Sequence, residues 1–234
     1  MKLIVCKFGG SSLADGSNIN RVAEILHSDP ARRFAVVSAP GKRFSADVKV
    51  TDLLYSCYRA ACETGSCSAA FAAVRRRFVS IVEELGLEGF DIEGILDETE
   101  REIDARKSAD FAASRGEYLN ARVIAARLGW EFVDAKDLVF FDGHGAFDEE
   151  KSYPIIAERL KNCSNAVIPG FYGTDAAGNI KTFSRGGSDI SGSIVARAVN
   201  ADLYENWTDV SGFLAADPRI VEKPEKIEVI SFKE

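Results

Sequence analysis

The stretch LIVCKFGGSS at residues 3–12 decides the fold, because it leads a buried strand into a glycine turn. Its first six residues are mainly apolar with β-branched members, which predicts a strand, and Gly9 and Gly10 end that strand. Apolar residues at helical spacing follow over residues 16–28, and FAVVSA at residues 34–39 predicts a second strand. A strand–helix–strand opening is typical of a parallel sheet, so we expect the α/β class.

The rest of the chain continues with helices and then returns to strands. Helical spacing predicts helices at residues 51–61, 71–85, 92–106, 108–128 and 190–199. Apolar runs predict strands at residues 131–134, 165–169, 180–183 and 202–207, and glycine turns predict a hairpin at residues 172–179. The basic run Arg75, Arg76 and Arg77 lies on an amphipathic helix, where we expect a solvated face.

The amino-acid composition shows which classes of protein are compatible with this chain. Apolar residues make up 46% of the 234 residues, enough to bury the core of one large domain or two small ones. A net charge of −7 disfavours bulk binding to nucleic acid or membranes. No apolar run reaches the roughly 18 residues of a membrane helix, and the N-terminus lacks the features of a signal peptide. We therefore expect a cytoplasmic protein.

Cysteine and histidine usage excludes several chemistries. The five cysteines are an odd set without a CxxC pair, which predicts reduced core thiols rather than disulfides or a zinc site. The two histidines, His27 and His144, belong to no catalytic-triad or metal-ligand motif. Histidine-driven hydrolysis and HExxH metal chemistry are therefore set aside, and we expect no metal site built by the protein.

The loop KFGGSS at residues 7–12 suits an anion. Paired glycines let backbone N–H groups approach an oxyanion, the following helix adds its positive end, and Lys7 can place an ammonium against phosphate oxygens. The loop is neither a Walker A motif nor GxGxxG. Taken alone, a tight turn with a surface lysine explains it equally well.

A second loop, TFSRGGSD at residues 182–189, repeats the same arrangement. Its guanidinium at Arg185 suits a carboxylate or phosphate, and Asp189 falls in the first helical turn. Asp189 either serves as an N-cap or first-turn acid of that helix, or orients cations near a reacting phosphoryl group. Two anion-binding loops in one domain suit a nucleotide together with a second anionic substrate.

Two further motifs are weaker. In NWTDVSGFLAADPRI at residues 206–220, Thr208 and Asp209 close a strand and Arg219 could reach phosphates, although an ordinary polar loop is an equal alternative. In SRGEYLNAR, Glu117 follows Gly116 inside a helix, a costly place for glycine. A buried acid there could receive an ammonium group, but taken alone a solvated glutamate is the more common case.

Together and in this order, these motifs resemble the aspartate kinases of the amino acid kinase family. The resemblance covers essentially the whole chain and rests on KFGGSS, VVSAP with TDLL, SRGEYLNAR, PGFYG, TFSRGGSD and WTDVSG with DPR. It implies a three-layer αβα sandwich with a mainly parallel central sheet. It also implies transfer of the γ-phosphate of ATP to L-aspartate, giving 4-phospho-L-aspartate, the first step toward lysine, threonine and methionine, with Mg²⁺ held mainly through the ATP phosphates.

The resemblance also implies roles for individual residues. The catalytic residues would be Lys7 and Asp189. The nucleotide would be bound by Lys7, Gly9, Gly10, Ser11, Thr208, Asp209 and Arg219. The substrate would be bound by Ser38, Thr51, Glu117, Phe171, Arg185 and Ser188, with Glu117 holding the amine and Arg185 the α-carboxylate.

The chain departs from the family pattern in places. Ser11 stands where threonine is common, and Leu214 stands where many members have a tyrosine near the adenine. The family continues beyond residue 234 with a lysine-containing segment and regulatory ACT domains, so we expect residues 1–234 to be a C-terminally truncated catalytic domain of a homo-oligomer. Two alternatives stay open: a kinase for another small acid of the acetylglutamate or glutamate type, and a non-catalytic nucleotide or amino-acid binder.

Overall fold

A parallel five-stranded sheet forms the centre of the molecule, whose computed structural model describes residues 2–106, 108–184, 186–208, 212–215 and 220–227. The strands are β1 (Ile4–Phe8), β2 (Arg32–Val37), β3 (Glu131–Phe132), β4 (Ala166–Pro169) and β7 (Leu203–Trp207), in the order β3-β4-β2-β1-β7. Two antiparallel pairs lie outside it, β5 (Tyr172–Thr174) with β6 (Ile180–Thr182) and β8 (Phe213–Leu214) with β9 (Lys226–Ile227). Strand β1 is buried at all five positions, as expected for a strand covered on both faces.

Helices cover both faces of this sheet. They are α1 (Gly16–His27), α2 (Val50–Thr64), α3 (Ser68–Leu85), α4 (Ile92–Arg106), α5 (Ala109–Leu128), α6 (Glu149–Lys161) and α7 (Gly187–Ala198). Alternate residues of β1 enter opposite cores: Ile4, Cys6 and Phe8 pack with α1 to α5, whereas Val5 packs with α6 and α7. The three-layer αβα sandwich with a parallel central sheet is therefore confirmed.

Most elements form where the sequence predicted them. Helix α4 has the predicted bounds, and α3 and α5 end at the left-handed glycines Gly86 (φ 62°) and Gly129 (φ 67°). Helix α7 begins at Gly187, three residues earlier than predicted. Helix α6 was not predicted, because its internal Pro154 interrupts the helical pattern. In the described part of the chain no helix is long and apolar enough to cross a membrane.

The basic run on α3 is not a solvated face throughout, so that expectation is wrong for Arg77. This side chain is 4% exposed and forms an ion pair with Asp47 at 2.6 Å. Arg75 instead reaches across to three acids of α4, Glu93, Asp97 and Glu100. The run was misread because sequence spacing places all three arginines on one helix but cannot show that a distant loop covers one of them.

The glycine inside α5 marks a close contact between layers. A Cβ at Gly116 would lie 2.7 Å from the Cβ of Ala39 and 3.3 Å from Leu54 Cδ1. Only glycine lets α5 approach the end of β2 and helix α2 this closely. Packing therefore requires a glycine at position 116, although glycine is costly inside a helix. The close approach of α5 also buries the neighbouring Glu117.

Gly116→Ala is expected to destabilise the fold by about 1 kcal/mol, because overpacking outweighs the gain in helix propensity. The free energy of unfolding, measured with urea, checks this. The double variant Gly116→Ala with Ala39→Gly removes the opposing methyl group and should recover stability relative to Gly116→Ala. Equal stability of the single variant and the wild type would contradict the close contact.

Candidate active site

The carboxyl ends of the parallel strands open into a cavity of about 620 Å³. Most of the predicted site residues line it: Lys7, Gly9, Gly10, Ser38, Thr51, Glu117, Phe171, Ser188 and Asp189. They come from β1, the segments after β2 and β4, and the starts of α2 and α7, together with the middle of α5. A crevice at this edge is where parallel α/β sheets bind ligands, because helix N-termini and loops converge there.

An ion pair joins the sheet to the second glycine loop. Lys7 Nζ lies 2.7 Å from Asp189 Oδ1, and Asn206 donates an amide hydrogen to the same oxygen at 3.0 Å. Asn206 sits beside Lys7 in the register of β1 and β7. The N-cap of α7 is Gly186, and Asp189 is an acid of the first turn, so the structure excludes the N-cap role but confirms the first-turn position. The buried lysine is thus held at a fixed place in the cavity by a half-exposed carboxylate.

The first glycine loop is followed by a 3-10 turn at Gly10–Leu13 rather than by α1 itself. Two carboxylates occupy the N-terminus of α1: Asp15 accepts from Asn18 N, and Glu84 accepts from Gly16 N at 2.8 Å. The prediction that this helix lends its positive end to the loop is therefore wrong. The features of the loop that still suit an anion are its paired glycines and its position next to Lys7.

Close packing explains one glycine in each loop, Gly10 and Gly187. A Cβ at Gly10 would lie 2.8 Å from the carbonyl oxygen of Ala39, and Gly41 N donates to Gly10 O at 2.8 Å. In the second loop a Cβ at Gly187 would lie 2.7 Å from a ring carbon of Phe171. Phe171 has a left-handed φ of 77° and is held there because its N–H donates to Ser191 Oγ at 2.9 Å.

Glu117 is a buried carboxylate that faces the cavity. It is 5% exposed, and its Oε2 has no hydrogen-bond partner within the described structure. Burial raises the pKa of Glu117 to about 8, against the opposing effects of a backbone N–H at Ala39 and the charge of Arg115. The alternative of a solvated glutamate is wrong. A buried acid without a partner suits a ligand that brings a hydrogen-bond donor or an ammonium group.

Five predicted site residues remain. Arg185, Asp209 and Arg219 fall outside the described residues. Ser11 is exposed and does not line the main cavity. Thr208 lines a smaller cavity of about 210 Å³ with Ser12 and Trp207, next to the first glycine loop.

Sequence reasoning missed part of the lining. The missed residues are Lys49, Asp52, Tyr55, Phe183 and Ser184. Thr51 and Tyr55 are four residues apart on α2, so they share one helical face, and that spacing was the available signal. Among the described residues, no group of three or more histidine, cysteine, aspartate and glutamate side chains could hold a metal ion.

The pH dependence of stability tests the burial of Glu117. Between about pH 4.5 and 8, the folded chain keeps a proton on Glu117 that the unfolded chain has lost. The contribution of this group to unfolding free energy therefore falls as pH rises, by up to about 1.4 kcal/mol per pH unit.

Urea unfolding of the wild type and of Glu117→Gln, compared across this range, measures the effect. The free energy of unfolding of Glu117→Gln should increase relative to that of the wild type as pH rises. Glu88→Gln removes a carboxylate at an exposed position and should show no such drift. A pH-independent difference for Glu117→Gln would contradict the buried, unpartnered carboxylate.

Comparison with known proteins gives one consistent result. The model of the amino acid kinase family matches residues 2–234. Aspartokinase 3 of Bacillus subtilis is 39% identical over 247 residues, which cover 98% of this chain and 54% of that protein. Lysine-sensitive aspartokinase 3 of Escherichia coli is 28% identical and is covered to 55%. The chain thus spans about half the length of the curated relatives it matches.

Solved structures agree in fold. The aspartate kinase of Clostridium acetobutylicum superposes with a TM-score of 0.96 at 51% identity, covering 100% of this chain and 54% of that one. Aspartokinase III of Escherichia coli, solved in complex with aspartate and ADP, gives a TM-score of 0.80 at 26% identity over 97% of this chain and 53% of that one.

Proposed function

Because this chain belongs to the amino acid kinase family, we propose that it transfers the γ-phosphate of ATP to the side-chain carboxylate of L-aspartate. The product would be 4-phospho-L-aspartate, and residues 1–234 would form the unit that catalyses the transfer. The relatives named as aspartokinases, one of them solved with aspartate and ADP, support this substrate pair. The sequence motifs VVSAP, SRGEYLNAR and TFSRGGSD, on which the family resemblance rests, agree with it.

The single observation that carries the proposal is the buried carboxyl group of Glu117. Its buried Oε2 lacks a partner in the described structure and faces the same cavity as Lys7. An amino acid brings an ammonium group, which satisfies that oxygen and turns a destabilised carboxyl into one half of a buried ion pair. A simple dicarboxylic acid or an N-acylated amino acid carries no such cation. This favours a free α-amino acid as the acceptor.

The chemistry needs no strong base. The acceptor carboxylate is ionised at neutral pH and is already a nucleophile. As one of its oxygens bonds to the γ-phosphorus, the bond from phosphorus to the bridging oxygen breaks and ADP leaves with that electron pair. Catalysis then consists of positioning and charge neutralisation. Lys7 supplies the positive charge at the transferring group, and Asp189 with Asn206 fixes the position of its ammonium.

The remaining assignments complete the proposal. Arg185 would hold the α-carboxylate of the acceptor, in a pocket with Ser38, Thr51, Phe171 and Ser188. The nucleotide would be held by Gly9, Gly10 and Ser11, and by Thr208, Asp209 and Arg219. A cytoplasmic location belongs to the same proposal and is supported by five free cysteine thiols, which suit a reducing compartment.

Mg²⁺ would accompany ATP in this site. Oxygen atoms are its preferred ligands, and it usually binds through substrate phosphates with one or two carboxylates. The half-exposed carboxylate of Asp189 fits that requirement. When bound, such an ion neutralises phosphate charge, while Lys7 and the glycine loops orient the phosphates.

An acceptor panel tests the reaction itself. Purified protein with ATP and Mg²⁺ should form ADP with L-aspartate, and hydroxylamine should trap an acyl phosphate. Lys7→Met should lower kcat by about 10²–10³-fold, because it removes a charge contact to the transition state. Lys136→Met removes an exposed lysine on another surface and should leave turnover unchanged. Turnover with glutamate, N-acetylglutamate or carbamate but none with aspartate would refute the proposed acceptor.

Proton release tests the role of Glu117 directly. In the free protein its carboxyl is protonated below a pKa of about 8, whereas a bound ammonium stabilises the ionised form. At pH 7, aspartate binding in the presence of ADP should therefore release up to about one proton. The heat of binding will then differ between buffers of different ionisation enthalpy.

Glu117→Gln should abolish this release and weaken aspartate binding, whereas the exposed Glu88→Gln should change neither. Identical heats of binding in two such buffers would show that Glu117 does not change its protonation state and does not receive the amine.

A further inference from the structure

One cation in the cavity has no assigned role. Lys49 is exposed, lines the 620 Å³ cavity, and has no side-chain hydrogen bond or ion pair within the described residues. The other described lysine of the cavity, Lys7, is already paired with Asp189 at 2.7 Å. Among the described lysines that line the cavity, Lys49 is therefore the one whose charge is available to a ligand.

The backbone of Lys49 is fixed although its side chain is not. Its carbonyl oxygen accepts from Asp52 N at 3.0 Å and from Leu53 N at 3.1 Å, which makes it the N-cap residue of α2. The next residue, Val50, is buried and donates its N–H to Pro40 O at 3.4 Å. A lysine on such a base can swing its ammonium onto a ligand without moving the main chain.

A buried arginine ties together the segment that carries this lysine, residues 41–49. Arg77 of α3 donates to Gly41 O at 3.0 Å and to Val48 O at 3.2 Å, and it pairs with Asp47 at 2.6 Å. Both ends of the 41–49 segment are thus attached to one guanidinium. The five donors of arginine in a rigid fork allow this, and a lysine could not reproduce it.

The same segment touches the first glycine loop. Gly41 N donates to Gly10 O at 2.8 Å, and a Cβ placed on Gly41 would lie 2.6 Å from Gly10 C. The main chains of the two loops are therefore in direct contact. Arg77 fixes the 41–49 segment relative to the loop that flanks Lys7, although it does not itself line the cavity.

We propose that Lys49 is a second phosphate-binding cation, contacting the γ-phosphate of ATP, and that Arg77 and Asp47 are positioning residues that act through it. The inference rests on the proposed function in that it takes ATP as the ligand of this cavity. The role of Lys49 is to offset negative charge that Lys7, already paired with Asp189, offsets only in part.

Nucleotide affinity without an acceptor tests this role. Calorimetry with ADP and with the β,γ-imido analogue of ATP compares binding with and without the terminal phosphate. Lys49→Met should weaken the analogue about tenfold, the loss of one charge-assisted contact, and change ADP affinity less than twofold. Lys49→Arg should keep most of the preference. Lys42→Met is the matched control, an exposed lysine of the same segment that does not line the cavity and should behave as wild type.

Each outcome of this experiment decides the role of Lys49. Unchanged binding of both nucleotides by Lys49→Met, or equal weakening of both, overturns it. Because no acceptor is present, a selective loss of the ATP analogue stands even if the acceptor panel fails with aspartate. The failure of this inference and the failure of the proposed function are therefore distinguishable.

A double-variant cycle tests the positioning residues. Asp47→Asn leaves the two bonds from Arg77 to main-chain carbonyls in place, so the fold should persist, which circular dichroism verifies. It should reduce the preference for the ATP analogue over ADP in the wild-type background but not in the Lys49→Met background. No reduction in the wild-type background, or an additive reduction in both, overturns the positioning role of Asp47 and Arg77.

Discussion

The ion pair between Lys7 and Asp189 is the interaction on which the rest of the site depends. At 2.7 Å it links strand β1 to the first turn of α7, and Asn206 from the neighbouring strand β7 donates to the same carboxylate oxygen. Lys7 is 7% exposed, so its charge would be costly without this partner. The pair therefore both stabilises a buried cation and fixes the distance between the two glycine loops.

The site also requires the layers of the fold to approach closely, and glycines allow this. Gly10 meets Gly41, Gly116 meets Ala39, and Gly187 meets Phe171, each at a distance that a Cβ would make impossible without displacement. These contacts draw two loops and a helix onto one cavity. Because α5 can approach so closely, Glu117 is carried below the surface, where its carboxylate is poorly solvated and suited to an ammonium group.

Charge in the cavity is distributed unevenly. Lys7 is paired, Glu117 is largely protonated at neutral pH in the free chain, and Lys49 has no ion-pair partner among the described residues. Under the proposed function, the exposed Lys49 would meet an anion and the buried Glu117 a cation. An α-amino acid and a nucleoside triphosphate together present that combination. Arg77 holds the 41–49 segment, and Gly41 of this segment donates to Gly10 O of the glycine loop.

Apolar periodicity and glycine positions are local signals. The fold class and most helices and strands could therefore be read from the sequence, together with motifs most of whose described residues line one cavity. The sequence could not show that Asp189 pairs with Lys7, that Glu84 accepts a hydrogen bond from the first residue of α1, or that Arg77 is buried under a loop. Nor did it reveal Lys49, which carries no motif. These features depend on contacts between residues far apart in the chain, and only tertiary packing decides which polar groups lose water and which partner they find.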